Sequence, residues 1–265
     1  MLNQSLDLSL KDFFTEIYHI LLKSAKDAIE IWCETYEINF LKEFDELKLE
    51  NLINNFEFIS KQKGSYTNFY SINKILFIIE AIQVLEFDIK KLSNLIDFNG
   101  FEQLIQEILT KHNYNTIKNF RFSDRTYYRK KTKQTKYEID VVGWKYDYLL
   151  LIDAKQWKKR DVYSALNKAA NKQYQRAIIL KKNPEILSNL IHSLIGPKTY
   201  SKIKLPLIII PLLVTFEENW LRVNENLVPL VSIYKLNSFL QDLKLHLSHF
   251  RNIKINKMSI QKQVI

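Results

Sequence analysis

Two aspartates and one lysine lie inside two apolar runs, at residues 137–144 and 148–155. They are Asp140, Asp153 and Lys155. Side chains two apart on a β-strand share a face, so Asp153 and Lys155 are predicted to point the same way. Carboxylates gathered on one face provide the oxygen ligands that a hard divalent cation binds, and such a cation can activate water for hydrolysis.

The spacing of the two aspartates fits a β-hairpin. We expect the two apolar runs to pair, with a symmetric turn centred between Tyr146 and Asp147. In that register Asp140 and Asp153 lie directly opposite each other, with Cβ atoms about 5 Å apart. Like charges this close repel unless something positive lies between them. The hairpin therefore predicts a divalent-cation site with Lys155 beside it, and the alternative is a structural pair of acids.

A third carboxylate is expected from the helix that precedes these strands. The apolar residues of 101–111 recur at helical spacing, and Glu102 lies at the edge of that apolar face, beside Leu109. A carboxylate in this place borders the core and can lean over a sheet. The alternative is an ordinary solvated glutamate, which the helix dipole favours in a first turn.

The surrounding pattern predicts an α/β domain, a mixed sheet flanked by helices, over residues 98–250, followed by a C-terminal tail at 251–265. An Asn-Gly turn at 99–100 marks its start. The predicted elements are a helix at 101–111, strands at 116–122, 137–143 and 148–155, helices at 162–177 and 184–194, strands at 207–215 and 227–231, and a helix at 236–247.

The first part of the chain has a different pattern. Apolar residues recur at helical spacing over residues 13–32 and again over 70–82, and Gly64 is the only glycine before residue 97. We therefore expect an all-helical N-terminal domain at residues 1–97, with a loop near 61–65.

The composition favours a polyanionic partner. The 39 Lys+Arg and 29 Asp+Glu residues give a formal net charge of +10, although a generally lysine-rich proteome would explain this equally well. Cys33 is the single cysteine, which excludes an internal disulfide and a CxxC zinc site and favours a cytoplasmic setting. The apolar run at 205–216 is interrupted by two prolines and is far shorter than a membrane span, so no membrane partner is expected.

Two basic clusters are candidates for nucleic-acid contact. Residues 121–136 are rich in lysine and arginine, with Asp124 as the one acid, and a second cluster surrounds Trp157. Phosphate contacts from such segments supply affinity without sequence specificity. The alternative is a solvated basic loop. The candidate residues are Arg121, Arg125, Arg129, Lys130, Lys131, Lys133 and Lys136 in the first cluster, and Lys158, Lys159 and Arg160 in the second.

This set of residues resembles the PD-(D/E)XK nuclease superfamily, especially the branch that includes archaeal Holliday junction resolvases and restriction-endonuclease-like proteins. In that family a helix with a glutamate precedes an Ile-Asp-Val type strand, then a strand ending in (D/E)-x-K, then a helix. The matching positions here are Glu102, residues 138–141 and residues 153–155, and the resemblance covers roughly 98–215. Asp153 stands where glutamate is more usual, and no proline precedes Asp140.

The resemblance implies a restriction-endonuclease-like fold and Mg²⁺-dependent hydrolysis of DNA, with Mn²⁺ as a substitute and internal cleavage preferred. It implies that Glu102, Asp140, Asp153 and the carbonyl of Ala154 hold the metal and that Lys155 orients the attacking water. Gln173 lies on the apolar face of the helix at 162–177, where related nucleases often carry a glutamine that reaches the active site. A glutamine bonded to backbone groups is the alternative.

Three questions about function stay open at this point. A non-catalytic DNA-binding or scaffold protein that keeps the nuclease fold is the main alternative, and an RNA-directed nuclease is another. A homodimer is also left open.

Overall fold

The computed structural model describes residues 2–43, 46–64, 68–85, 88–124, 136–156, 162–218 and 222–258. The chain divides into two compact units, Met1–Leu104 and Ile105–Ile265. The division falls inside helix α5, which runs Phe98–Lys111, whereas the boundary predicted from the sequence lies just before this helix.

The first unit combines helices with a three-stranded antiparallel sheet, so the expectation of an all-helical domain at residues 1–97 is wrong. The strand order is β1-β3-β2. The elements that precede α5 are α1 (Leu2–Lys23), β1 (Glu30–Glu34), α2 (Glu46–Ile53), β2 (Ile59–Lys63), β3 (Asn68–Asn73), α3 (Lys74–Leu85) and α4 (Ile89–Leu92).

The error arises because short strands lie within the stretches whose apolar spacing predicted helices: β1 overlaps residues 13–32, and β3 overlaps residues 70–82. In β1, Cys33 is buried while Trp32 is 61% exposed, which is the two-residue alternation of a half-buried strand. In β3 the strand gives way directly to α3. The side chain of Asn73 caps the N-terminus of α3, because its Oδ1 accepts hydrogen bonds from the backbone N–H groups of Ile75 and Leu76 at 2.9 and 3.1 Å.

The second unit is an α/β structure with a mixed six-stranded sheet, which confirms the prediction of a mixed sheet with helices. The strand order is β4-β5-β6-β7-β8, and β9 also pairs with β7. The elements that follow α5 are β4 (Asn115–Ser123), β5 (Lys136–Lys145), β6 (Tyr148–Lys155), α6 (Val162–Lys182), α7 (Pro184–Tyr200), β7 (Leu207–Thr215), β8 (Leu230–Ser232), α8 (Ile233–His246) and β9 (Ile253–Ile255).

Strand direction changes across this sheet. Strands β4, β5 and β6 are antiparallel neighbours, whereas β6, β7 and β8 run parallel to one another. The crossover from β6 to β7 contains α6 and α7, as parallel pairing requires a long connection.

The central strands are held by a core shared with α6 and α7. Strand residues from β5 and β6 pack there with alanine and leucine side chains of the two helices: Val142, Trp144, Leu149, Leu151, Ala177, Leu180, Leu187 and Leu190. Burying each of the leucine side chains contributes about 1.5–3 kcal/mol. This packing holds α6 against the end of β6 that carries Asp153.

The predicted C-terminal tail at 251–265 is partly wrong. Residues Ile253–Ile255 form β9, which pairs antiparallel with Leu207–Ile209 of β7. Ile253 and Ile255 are 5% and 3% exposed and join the same core. A three-residue strand is too short for its periodicity to be recognised in a sequence. None of the helices in the described ranges combines the length and apolar character that a membrane span needs.

Candidate functional site

The hairpin that carries the two aspartates has the predicted register. Strands β5 and β6 pair from Lys145↔Tyr148 to Val141↔Ile152. The turn consists of Tyr146 and Asp147, and Tyr146 adopts a left-handed backbone with φ 56°. Because hairpin turns with two residues favour positive φ, an otherwise poor turn sequence can close the hairpin here.

The sheet opens where the carboxylates lie. The β5–β6 ladder ends at Val141↔Ile152, whereas β5 remains paired with β4, and β6 remains paired with β7 as far as Lys155↔Thr215. Beyond the ladder, the backbone N–H of Ala154 donates a hydrogen bond to Oδ2 of Asp140 at 2.7 Å. The Asp140 carboxylate therefore accepts the hydrogen bond of the Ala154 N–H, which has no backbone acceptor on β5 once the ladder has ended.

The regular alternation of β5 is interrupted at Asp140. Ile139 and Val142 both pack into the core shared with α6 and α7, although residues three apart on a regular strand point to opposite faces. The position opposite Asp140 on β4 is missing from the ladder and is occupied by Asn119, whose φ is 54°. This irregularity was not visible in the sequence pattern.

Asp153 lies between two cations and is 2% exposed. Lys155 Nζ lies 2.7 Å from Asp153 Oδ2 and 4.0 Å from Asp140 Oδ2. Arg176 Nη1, from α6, donates to Asp153 Oδ1 at 2.6 Å. The structure brings Asp140, Asp153 and Lys155 together, and positive charge lies beside both aspartates.

Gln173 is joined to this cluster by Arg176, a residue that sequence reasoning missed. Its side chain is fully buried, and Oε1 accepts a hydrogen bond from Arg176 Nη1 at 2.9 Å. The Nε2 atom of Gln173 has no hydrogen-bond partner within the described part of the chain. The position of Arg176, three residues after Gln173, was the available signal, because residues three apart share a helix face.

Burial and the neighbouring carboxylate raise the pKa of Asp140. The pKa moves from an ordinary 3.8 to about 6, mainly because burial disfavours the charged form and secondly because Asp153 lies nearby. The Ala154 N–H, Lys155 and Arg176 partly oppose this rise. Asp140 is therefore a carboxylate that a further positive charge would stabilise near neutral pH.

We expect Asp140→Asn to stabilise the protein in EDTA, and to do so more strongly at pH 8 than at pH 5. A raised native pKa means that the stabilising contribution of Asp140 is present below about pH 4 and is lost as pH rises through about 6. Asparagine stays neutral and keeps an oxygen for Ala154, so the gain in unfolding free energy should approach about 3 kcal/mol at most. Denaturant unfolding across this pH range measures it, with the exposed Asp242→Asn as control. A gain that does not vary with pH would contradict the assignment.

The donor set suits a small, hard cation. The two aspartates supply carboxylate oxygens, and the carbonyl of Ala154, which accepts a hydrogen bond from Lys155 Nζ at 3.1 Å, supplies a third oxygen. Mg²⁺ typically binds one or two carboxylates and completes its shell with water and phosphate oxygens. These residues therefore fit such an ion.

A larger acidic cluster is absent from the described residues, where no three His, Cys, Asp or Glu side chains form a group that could hold a metal. A cation at this place would therefore have the two aspartates as its acidic ligands, without a third acidic side chain from the described residues. Glu102 lies on α5 and is 2% exposed. Its predicted part in metal binding stays a prediction.

Most of the predicted nucleic-acid contacts fall outside the described residues. Arg121 is described, and it lies on β4 with an exposed side chain that pairs with Glu138 of β5 at 2.9 Å. The positions outside the described ranges are Arg125, Arg129, Lys130, Lys131, Lys133, Lys158, Lys159 and Arg160.

Comparison with known proteins identifies no family. No protein-family model matches the chain, and no curated protein sequence matches it. Among solved structures, the chain is similar to protein VC1899 from Vibrio cholerae, with 14% sequence identity and a TM-score of 0.29, over 93% of this chain and 52% of that chain. The chain thus spans about half the length of that protein. A similarity this weak carries no argument about fold or function.

Proposed function

We propose that this protein is a Mg²⁺-dependent nuclease of the PD-(D/E)XK type that hydrolyses DNA phosphodiester bonds internally. The observation that carries the proposal is the meeting of Asp140, Asp153 and Lys155 where β5 and β6 separate. The order of elements supports it, because the two antiparallel strands are followed by a helix, as the resemblance to restriction-endonuclease-like proteins implies.

Asp140, Asp153 and the Ala154 carbonyl would hold Mg²⁺, with Mn²⁺ as a substitute. When bound, the ion lowers the pKa of a coordinated water and offsets negative charge on the phosphate. Asp153 is held on β6 by pairing with β7, and the Asp140 carboxylate is held by the hydrogen bond from the Ala154 N–H, so both are fixed although the β5–β6 ladder ends before them. This rigidity favours a site that is formed before the substrate arrives.

Lys155 would act on the substrate and on the attacking water. Its ammonium group lies near both aspartates and the Ala154 carbonyl, and its side chain is 22% exposed. A cation held in this way can donate a hydrogen bond to a phosphate oxygen and stabilise the charge that develops during hydrolysis. Lys155 therefore takes the part that the lysine of the (D/E)-x-K pattern has in the related nucleases.

Two observations favour the non-catalytic alternative. Both oxygens of Asp153 already have a cationic partner, and the described residues contain no three-residue metal group. A protein of this kind would keep the nuclease fold and bind or scaffold DNA without turnover.

Cleavage assays on a panel of substrates test the proposal. We expect Mg²⁺ and Mn²⁺ to support cleavage of at least one of single-stranded, duplex, flapped and four-way-junction DNA. We expect Ca²⁺ to permit binding without efficient cleavage, because its looser coordination positions water less well. DNA binding without cleavage in any of these metals would favour the scaffold alternative. Cleavage of matched RNA substrates but of no DNA substrate would show that the substrate is RNA.

A further inference from the structure

Asp153 has a counter-ion on each of its two oxygens. Lys155 Nζ lies 2.7 Å from Oδ2, and Arg176 Nη1 lies 2.6 Å from Oδ1. The carboxylate side chain is only 3% exposed, so water does little to stabilise its charge. An ionised carboxylate at this depth requires such partners, since an unpaired buried charge is very costly.

We propose that Arg176 is an internal counter-ion of Asp153, which a divalent cation displaces and which then binds the phosphate of the substrate. The proposal rests on the metal-dependent nuclease function. It assigns Arg176 two successive partners, first a carboxylate of the protein and then a phosphate of the nucleic acid.

Electrostatics makes the first contact incompatible with a metal at the same oxygen. A divalent cation bound to Asp153 Oδ1 would neutralise the carboxylate and repel the guanidinium group, whose Nη1 lies 2.6 Å from that oxygen. Arg176 therefore competes with the cation. Its presence keeps Asp153 paired when no cation is bound, and its displacement weakens the net affinity for the metal.

The surroundings of Arg176 favour a short movement over complete release. Its side chain is 22% exposed, so the guanidinium group is close to solvent. Gln173 is fully buried beside it and accepts a hydrogen bond from Nη1 at 2.9 Å, which holds the guanidinium group near the site. A planar guanidinium group matches the oxygens of a phosphate in paired hydrogen bonds. After its displacement from Asp153, the guanidinium group of Arg176 would thus stay oriented by Gln173 and face the phosphate of the substrate.

The test compares Arg176→Gln with Lys172→Gln, which removes the same charge from an exposed position on α6. Calorimetric titration with Mn²⁺ without nucleic acid is the first measurement. We expect Arg176→Gln to bind Mn²⁺ about tenfold more tightly than wild type, which corresponds to about 1.4 kcal/mol. Lys172→Gln should bind as wild type does.

The second measurement is the rate of DNA cleavage at saturating Mn²⁺. We expect Arg176→Gln to be about 10²–10³-fold slower, because the variant lacks the guanidinium group that would donate hydrogen bonds to the phosphate and stabilise its negative charge. Arg176→Lys retains the charge and should keep Mn²⁺ affinity near the wild-type value. It also serves as the folded reference if Arg176→Gln is unstable.

Unchanged or weaker Mn²⁺ binding by Arg176→Gln would overturn the inference and make Arg176 a structural support of Asp153. If the wild type then still cleaves DNA in a metal-dependent way, the proposed function stands. If neither the wild type nor the variant binds Mn²⁺ and no cleavage occurs, both proposals fail.

Discussion

Asp140→Asn is expected to lower Mg²⁺-dependent DNA cleavage by at least about 10²–10³-fold while leaving the protein folded. The substitution removes the charge that would hold the cation but keeps the oxygen that accepts the Ala154 hydrogen bond. Because the pKa of Asp140 is raised to about 6, the neutral variant should also be the more stable protein at neutral pH. Loss of activity in a more stable protein cannot be assigned to unfolding. Initial cleavage rates and denaturant unfolding on the same sample measure both.

The other members of the site give companion results. Asp153→Asn and Lys155→Met should lose cleavage to a similar degree, whereas Glu102→Gln should be milder if this carboxylate acts only through water. Asp153→Asn removes the buried charge that pairs with both Lys155 and Arg176, so its stability should fall. Asp242→Asn, on the exposed face of α8, should keep wild-type activity. A wild-type cleavage rate in Asp140→Asn would show that Asp140 has no part in catalysis.

Replacing four residues of the first basic cluster should weaken DNA binding in a salt-dependent way. If Arg129, Lys130, Lys131 and Lys133 contact phosphates, alanine at all four positions should flatten the slope of log K against log[salt] by up to about 0.9 per lost contact on duplex DNA. Affinity should fall similarly for unrelated sequences, since phosphate contacts carry no base information. Binding isotherms in Ca²⁺ at several salt concentrations give the slope.

A matched control separates this effect from a change in net charge. The exposed lysines Lys204, Lys244, Lys254 and Lys257 lie elsewhere in the second unit, and their replacement by alanine removes the same formal charge. This control should leave the salt slope nearly unchanged. An equal loss of slope in both quadruple variants would assign DNA affinity to the overall charge of +10 rather than to this segment.

The parts of the second unit that follow strong local rules were predictable. Strands β6 and β7 have the predicted bounds, because long apolar runs flanked by charge or proline are typical of buried strands. The hairpin register followed from a symmetric turn at Tyr146 and Asp147, although the ladder ends at Val141↔Ile152 and does not reach Asp140 and Asp153. Helices α6 and α7 extend beyond their predicted ends, to Lys182 and Tyr200.

What the sequence could not supply depends on tertiary contacts. The sheet of the first unit is made of short strands, and β1 pairs with β3, which is distant in the chain, so no local pattern specifies this pairing. The contact of Arg176 with Asp153 depends on the packing of α6 against β6, which brings a surface-type residue to a buried acid. The interrupted alternation at Asp140 likewise arises from the irregular backbone of Asn119 on a neighbouring strand.

The most direct test of the central claim is cleavage of labelled DNA by the wild-type protein in Mg²⁺, compared with excess EDTA. The site predicts cleavage in Mg²⁺, its loss in EDTA and its recovery when Mg²⁺ is restored, because Asp140 and Asp153 act through a bound cation. Full activity in excess EDTA would contradict a metal-dependent mechanism at these two aspartates.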